Sequence, residues 1–128
     1  MNLQRYEFVR KRTYKEYFFY SEGPMGQIRK IVRFILLSYN PPYYNLVLGD
    51  WDEALNDIDD ISVTNNGDTE KVLATVAAII FDFIDIFKNA RVITEGNTPA
   101  RTRRYQIGIN KYWGDIEKIF YKIGRAHV

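Results

Sequence analysis

The sequence predicts an α+β fold: a curled antiparallel sheet covered by one long helix, with a second, short arginine-rich helix. Three observations carry this. The first half of the chain consists of short runs rich in Tyr, Phe, Ile and Val, divided by Gly-Pro and Asn-Pro turns. From Thr69 to about Asn89 the apolar residues recur at helical spacing. Thr98 and Pro99 then supply the cap and the first helical position of another helix. A chain of 128 residues with 46% hydrophobic content can bury a core as one domain, read as residues 1–122.

In order, "RYEFVR" reads as a short strand, and "TYKEYFFYS" alternates Tyr14, Glu16, Phe18 and Tyr20 against Lys15, Tyr17 and Phe19. Gly23, Pro24 and Gly26 read as a structural turn. "QIRKIVRFILLS" is a long strand with Ile28, Val32, Phe34 and Leu36 on one face and Ile31, Ile35 and Leu37 on the other. Its cations Arg29, Lys30 and Arg33 fall in its first half, so that end is expected to be solvated and the far end buried. "NPPYYN" turns the chain into a fourth strand, "YNLVLGDW", and these four strands are expected to form a sequential meander. An acidic loop, "DWDEALNDIDD", and a short strand at "DISVT" follow.

Asp68 is the expected N-cap of the long helix, whose buried stripe is Val72, Leu73, Val76, Ala77, Ile80, Phe83, Ile84 and Phe87. Lys71, Thr75, Ala78, Asp82, Asp85 and Asn89 form the opposite stripe and are expected to face solvent, which explains the Asp82/Asp85 pair without catalysis. "ARVITEG" reads as a strand, "TPARTRRYQIGINK" as the arginine helix, and "GDIEKIFYKI" as a helical turn running into a last strand.

Composition excludes several chemistries. Without cysteine there is no disulfide framework or thiolate site, and with His127 as the single histidine there is no basis for a histidine metal cluster or triad. No catalytic residue, metal or cofactor is expected. The N-terminus has no signal-peptide run, and the apolar stretch Val72–Phe81 is far shorter than the roughly 20 residues of a membrane helix. A cytoplasmic protein with no membrane partner is the expectation.

The net charge of +2 hides a strong segregation. Met1–Arg33 holds eight basic against three acidic residues, Asn45–Glu70 eight acidic and no basic ones, and the chain from Arg91 again eight against three. Two readings stay open: internal pairing of the acidic segment with the basic ones, or separate charged faces. The same choice applies to Arg101, Arg103 and Arg104, which crowd a helix N-terminus that already carries about half a positive charge. Either the acidic segment or an external phosphate balances them. The acidic loop lacks the spacing of a calcium loop and reads as solvated or internally paired.

Aromatic residues make up 16% of the chain, and in the strands they interleave with Arg10, Lys11, Arg12, Lys15, Arg29, Lys30 and Arg33. That is the composition of a cation-lined stacking surface, and equally of ordinary strands. Both faces of the sheet carry rings while one helix covers one face. A second protomer, the C-terminal helix or nucleic acid is therefore expected on the other.

"YSEGPMGQIRKIVRF", "YNLVLGD", "NNGDTEKVLATVA" and "GNTPARTRRYQIGI" resemble, in wording and order, a family of small bacterial proteins classed as a domain of unknown function. The resemblance implies a single-domain bacterial protein of this length and brings no activity with it. Its recurrent residues here are Ser21, Glu22, Gly23, Pro24, Asn66, Gly67, Asp68, Lys71, Thr98, Arg101 and Arg103, with roles left open. The ending "IGRAHV", residues 123–128, reads as the translation of a common sequencing adapter and is expected to be a non-native tail.

The functional expectation is a binding module that contacts nucleic acid or a protein partner. The surfaces expected to do so are the basic aromatic sheet (Arg29, Lys30, Arg33) and the arginine helix (Thr98, Arg101, Arg103, Arg104). The alternatives are a toxin-type ribonuclease using Arg101, Arg103 and a tyrosine, and a structural protein that self-assembles, as a homodimer or otherwise, through the uncovered sheet face.

Overall fold

Each strand of the first half finds its partner in the next, because the turns between them are short. The computed structural model of the chain describes residues 4–59 and 66–93. In order these form β1 (Phe8–Arg10), β2 (Glu16–Gly23), β3 (Gly26–Tyr39), β4 (Pro42–Asp52), β5 (Asp57–Asp59), α1 (Thr69–Ile86) and β6 (Arg91–Ile93). Strands β1 to β5 lie side by side in chain order, all antiparallel. The four expected strands are present, and the stretch read as an acidic loop contributes β5. The strand expected at 60–64, the arginine helix, the last strand and the tail 123–128 lie outside the described residues, among which α1 is the single helix.

The wholly antiparallel sheet of the sequence reading needs one correction. β6 pairs parallel to β4, with Tyr43 opposite Arg91 and Asn45 opposite Ile93. β4 ends at one end of the sheet and α1 carries the chain back to the other, so the next strand re-enters where β4 began. A strand returned by such a crossover runs parallel to the one it left. β5 and β6 therefore share the edge of β4 away from β3, one at each end.

α1 packs across β2, β3 and β4 over a core of Tyr17, Phe19, Val32, Phe34, Tyr44, Leu46 and Leu48. Phe83 is its anchor: the ring stacks on Phe34 with centroids 3.9 Å apart and meets Tyr44 edge-on at 4.9 Å. The helix ends at Ile86, short of Asn89, where the Phe87 N–H bonds the Phe83 carbonyl at 2.8 Å.

The expected solvent stripe of α1 is corrected at Thr75 and Asp82, while Asp85 and Asn89 are exposed as expected. Every residue from Val72 to Ala77 is buried, Thr75 included. The Thr75 hydroxyl accepts the Tyr6 N–H at 2.8 Å and donates to the Lys71 carbonyl at 2.7 Å. Asp82 accepts hydrogen bonds from Arg10 at 2.9 Å and Tyr17 at 2.7 Å. Burial, and then the Asp82 carboxylate, push the Tyr17 phenol well above its usual pKa, so it stays a donor. The cause is the N-terminal segment with β1, which lies along the helix and covers a side that periodicity alone assigns to water.

β3 reverses the burial expected of it. Lys30 is 1% exposed, while Leu37 is 42% and Tyr39 76% exposed at the far end. Lys30 can be buried because Asp50 stands directly opposite it on β4, with Nζ to Oδ1 at 2.6 Å. The far end is bare because β2 flanks β3 only as far as Arg33. The pair also decides part of the charge question: the acidic segment meets a basic one inside the fold.

Removing one member of this pair leaves the other charge buried. Lys30→Met is expected to cost about 3–5 kcal/mol in urea unfolding, and Lys30→Met with Asp50→Leu to recover most of that. A single-mutant loss below about 1 kcal/mol would show that the pair is not what neutralises the site.

Candidate functional site

Two places gather the residues singled out by sequence. At the first, the motif residues of β2 and of the helix start meet although Ser21 and Asp68 are 47 positions apart. Pro24 and Met25 connect β2 to β3, and Gly26, with φ of 87°, takes the left-handed conformation that closes the turn. Gly67, with φ of 73°, bends the chain into α1. These two bends bring Asn66 against the hairpin. Its side chain donates to the Gly26 carbonyl at 2.8 Å and to Ser21 Oγ at 3.2 Å, and accepts the Met25 N–H at 2.7 Å.

Asp68 stands at the N-cap position as expected, but its side chain makes no capping bond. One carboxylate oxygen accepts instead from Ser21 Oγ and from the Tyr6 hydroxyl, each at 2.5 Å. The Tyr6 oxygen in turn accepts the Glu22 N–H at 3.0 Å, and Lys71 Nζ lies 4.3 Å from the centre of the Tyr6 ring. Burial first, then the bond to Asp68, raise the Tyr6 pKa. Ser21 is fully buried, with its hydroxyl donating to the Asp68 carboxylate. It fastens three segments: the N-terminus, the β2–β3 hairpin and the start of α1. An open groove of about 560 Å³ runs beside it, lined by Gln4, Asp68, Glu70, Lys71 and Ala74 among others.

Gly23 is the tightest point of this clasp. A Cβ there would sit 1.9 Å from the Asn66 main-chain oxygen. Gly23→Ala is therefore expected to lower stability by about 1–3 kcal/mol or more, read by thermal or urea unfolding. A melting temperature equal to wild type would mean that the hairpin and the helix start are not in this contact.

The second place is the sheet face away from α1. Register puts Glu16, Phe18 and Tyr20 of β2, Arg29, Ile31 and Arg33 of β3, Val47 and Trp51 of β4 and Ile58 of β5 on it. Ile31, Val47 and Ile58 are buried there. Arg29 lies between two rings, its guanidinium carbon 4.3 Å from the Phe18 centroid and 5.2 Å from that of Trp51. Tyr20, 42% exposed, meets Phe18 edge-on at 6.0 Å. Among the described residues Arg29 has no carboxylate partner, and its buried Nε makes no hydrogen bond. Arg33 is held by Glu16 at 2.7 Å, with Asp57 at 3.5 Å, and Lys11 reaches the other Glu16 oxygen at 2.6 Å.

Of the sequence-chosen cations, then, Arg29 is the one on this face without an acid among the described residues. Arg33 is tied down, and Lys30 faces the helix side with Asp50. Thr98, Arg101, Arg103 and Arg104 lie outside the described residues. Sequence reasoning missed Trp51 as the second wall around Arg29. The alternation within β2 and β3 was readable, but the register that sets Trp51 beside Arg29 was not.

The chain belongs to a family of unknown function, DUF6934, whose model matches residues 2–127. No curated protein and no solved structure shows significant similarity to it. Among the described residues no helix is long and apolar enough to cross a membrane.

Glu16 gives this face a pH signature. Burial pushes its carboxyl up, but the hydrogen bonds and charges of Lys11 and Arg33 outweigh that and hold it below the ordinary value of about 4.3. The stabilisation is complete above that value and is lost as pH falls through the lowered one. Glu16→Gln is expected to flatten this part of the acid-unfolding profile, followed by circular dichroism. An unchanged slope would mean the carboxylate is not paired.

Proposed function

We propose that this protein is a binding module for single-stranded nucleic acid, working through the face that carries Phe18, Tyr20, Arg29 and Trp51. The observation behind this reading is Arg29: a guanidinium between two rings, on the sheet face away from the helix, with no acid partner among the described residues. Held close to both rings, it keeps donors for a phosphate at little entropic cost. The neighbouring rings offer surfaces on which bases stack, and stacking tolerates any base because each has a π-face. The β1–β2 connection adds the exposed Arg12 nearby, which favours a polyanion over an uncharged protein surface. The arginines at 101, 103 and 104 would extend the same electrostatic attraction.

Fluorescence anisotropy with labelled single-stranded RNA and DNA, repeated across a salt series, tests this. Wild type is expected to bind, and to weaken steeply as salt rises. Tyr20→Ala, at an exposed position, is expected to cost about 1–3 kcal/mol of binding with the fold intact. Arg29→Ala is expected to weaken binding and lower the salt slope by about one unit. Absence of binding at low salt, or affinity indifferent to both substitutions, would overturn the reading, and cleavage of the strand would replace it with the ribonuclease one.

A further inference from the structure

β3 is longer than the strand beside it. The ladder to β2 runs out at Glu16 opposite Arg33, and one further bond joins the Phe34 N–H to the Lys15 carbonyl at 2.9 Å. Among the described residues, β3 from Ile35 to Tyr39 is paired on the β4 side only. β6 occupies the far edge of β4 at this end, so the overhanging edge belongs to β3 alone. Its side chains are as bare as its backbone: Ile35 and Leu37 are each 42% exposed, Tyr39 76%, and Tyr43 on the adjoining strand 37%.

Such an edge normally carries a lysine or an inward-pointing charge that keeps other strands away. Here the one such device is a register irregularity between Leu36 and Ser38, which adds twist and no charge. The sixteen residues from Phe34 to Gly49 contain no ionisable acid or base of the Asp, Glu, Lys or Arg type. That segment offers a polyanion no cation of its own; the cations beside it are Lys15, next to Phe34, and Arg91, opposite Tyr43. A second copy of the chain meets every requirement. It brings a strand of equal overhang, and an uncharged strand does not repel itself.

We propose that the overhanging end of β3 is a self-association surface, on which a second copy lays the same segment antiparallel. The operator is a two-fold axis perpendicular to the sheet. Centred near Leu37, it sets Ile35 of one copy beside Tyr39 of the other, apolar against apolar. The contact is short compared with the roughly 1,600 Å² of a standard interface, so the dimer is weak and follows concentration. This inference is independent of the nucleic-acid reading, although the axis would put both Arg29 faces on the same side of a joined sheet.

Sedimentation velocity of the full chain over a wide concentration series tests it. The mass of wild type is expected to climb from 15.1 kDa towards twice that value. Leu37→Lys is expected to stay at the single-chain mass throughout with an unchanged melting temperature, and Tyr39→Lys, at the most exposed of these positions, serves if Leu37→Lys fails to fold. Mixing Leu37→Lys with Leu37→Glu is expected to restore the dimer. Wild type monomeric at every concentration, a dimer undiminished by the lysine variants, or open-ended growth beyond two chains would each overturn the proposal.

Discussion

The contact on which the rest depends is Phe83 lying flat on Phe34 with Tyr44 against its edge. It fixes α1 across the middle of the sheet, where β3 and β4 run side by side. From that position two consequences follow. The helix returns the chain to the start of β4, which makes β6 parallel. Its first turns reach the β2–β3 hairpin, where the Asn66 and Asp68 side chains bond to it.

A helix in a curled sheet has more than one buried side, and the chain uses its own N-terminus to provide the additional cover. Tyr6 meets Thr75 and Asp68, and Arg10 meets Asp82. Polar groups on that side are therefore paired with other polar groups, as their removal from water requires. The clasp follows the same logic. Ser21, Asn66 and Asp68 act in it through their side chains, Gly23 through the lack of one, and Glu22 through its backbone N–H. The face that carries Arg29 lies on the opposite side of the sheet.

The cations on these two sides are balanced in different ways. Lys30 is consumed by Asp50, Arg33 by Glu16, and Arg10 by Asp82. Arg29 is stacked between Phe18 and Trp51 and has no such acid among the described residues. Three cations that look alike within β3 thus have three fates, set by which face each occupies and by what stands opposite on the neighbouring strand.

Much of the fold was readable because it rests on local signals. Alternation marked β2, β3 and β4, the Gly23–Gly26 stretch marked their first turn, and 3.6-residue spacing marked α1 and its core residues Val72, Val76, Ile80 and Phe83. These patterns depend on a residue's near neighbours, and tertiary packing had only to leave them intact. The parallel direction of β6, the burial of Thr75 and Lys30, the bare end of β3 and the pairing of Arg29 with Trp51 depend on what arrives from distant parts of the chain. By itself the sequence determined that β1 to β4 and β6 are strands and α1 is a helix, and that anionic and cationic stretches would have to be balanced. The tertiary structure alone decided which charges cancel and which ring flanks Arg29, because strand register and the path of the N-terminus are set by packing between segments far apart in the chain.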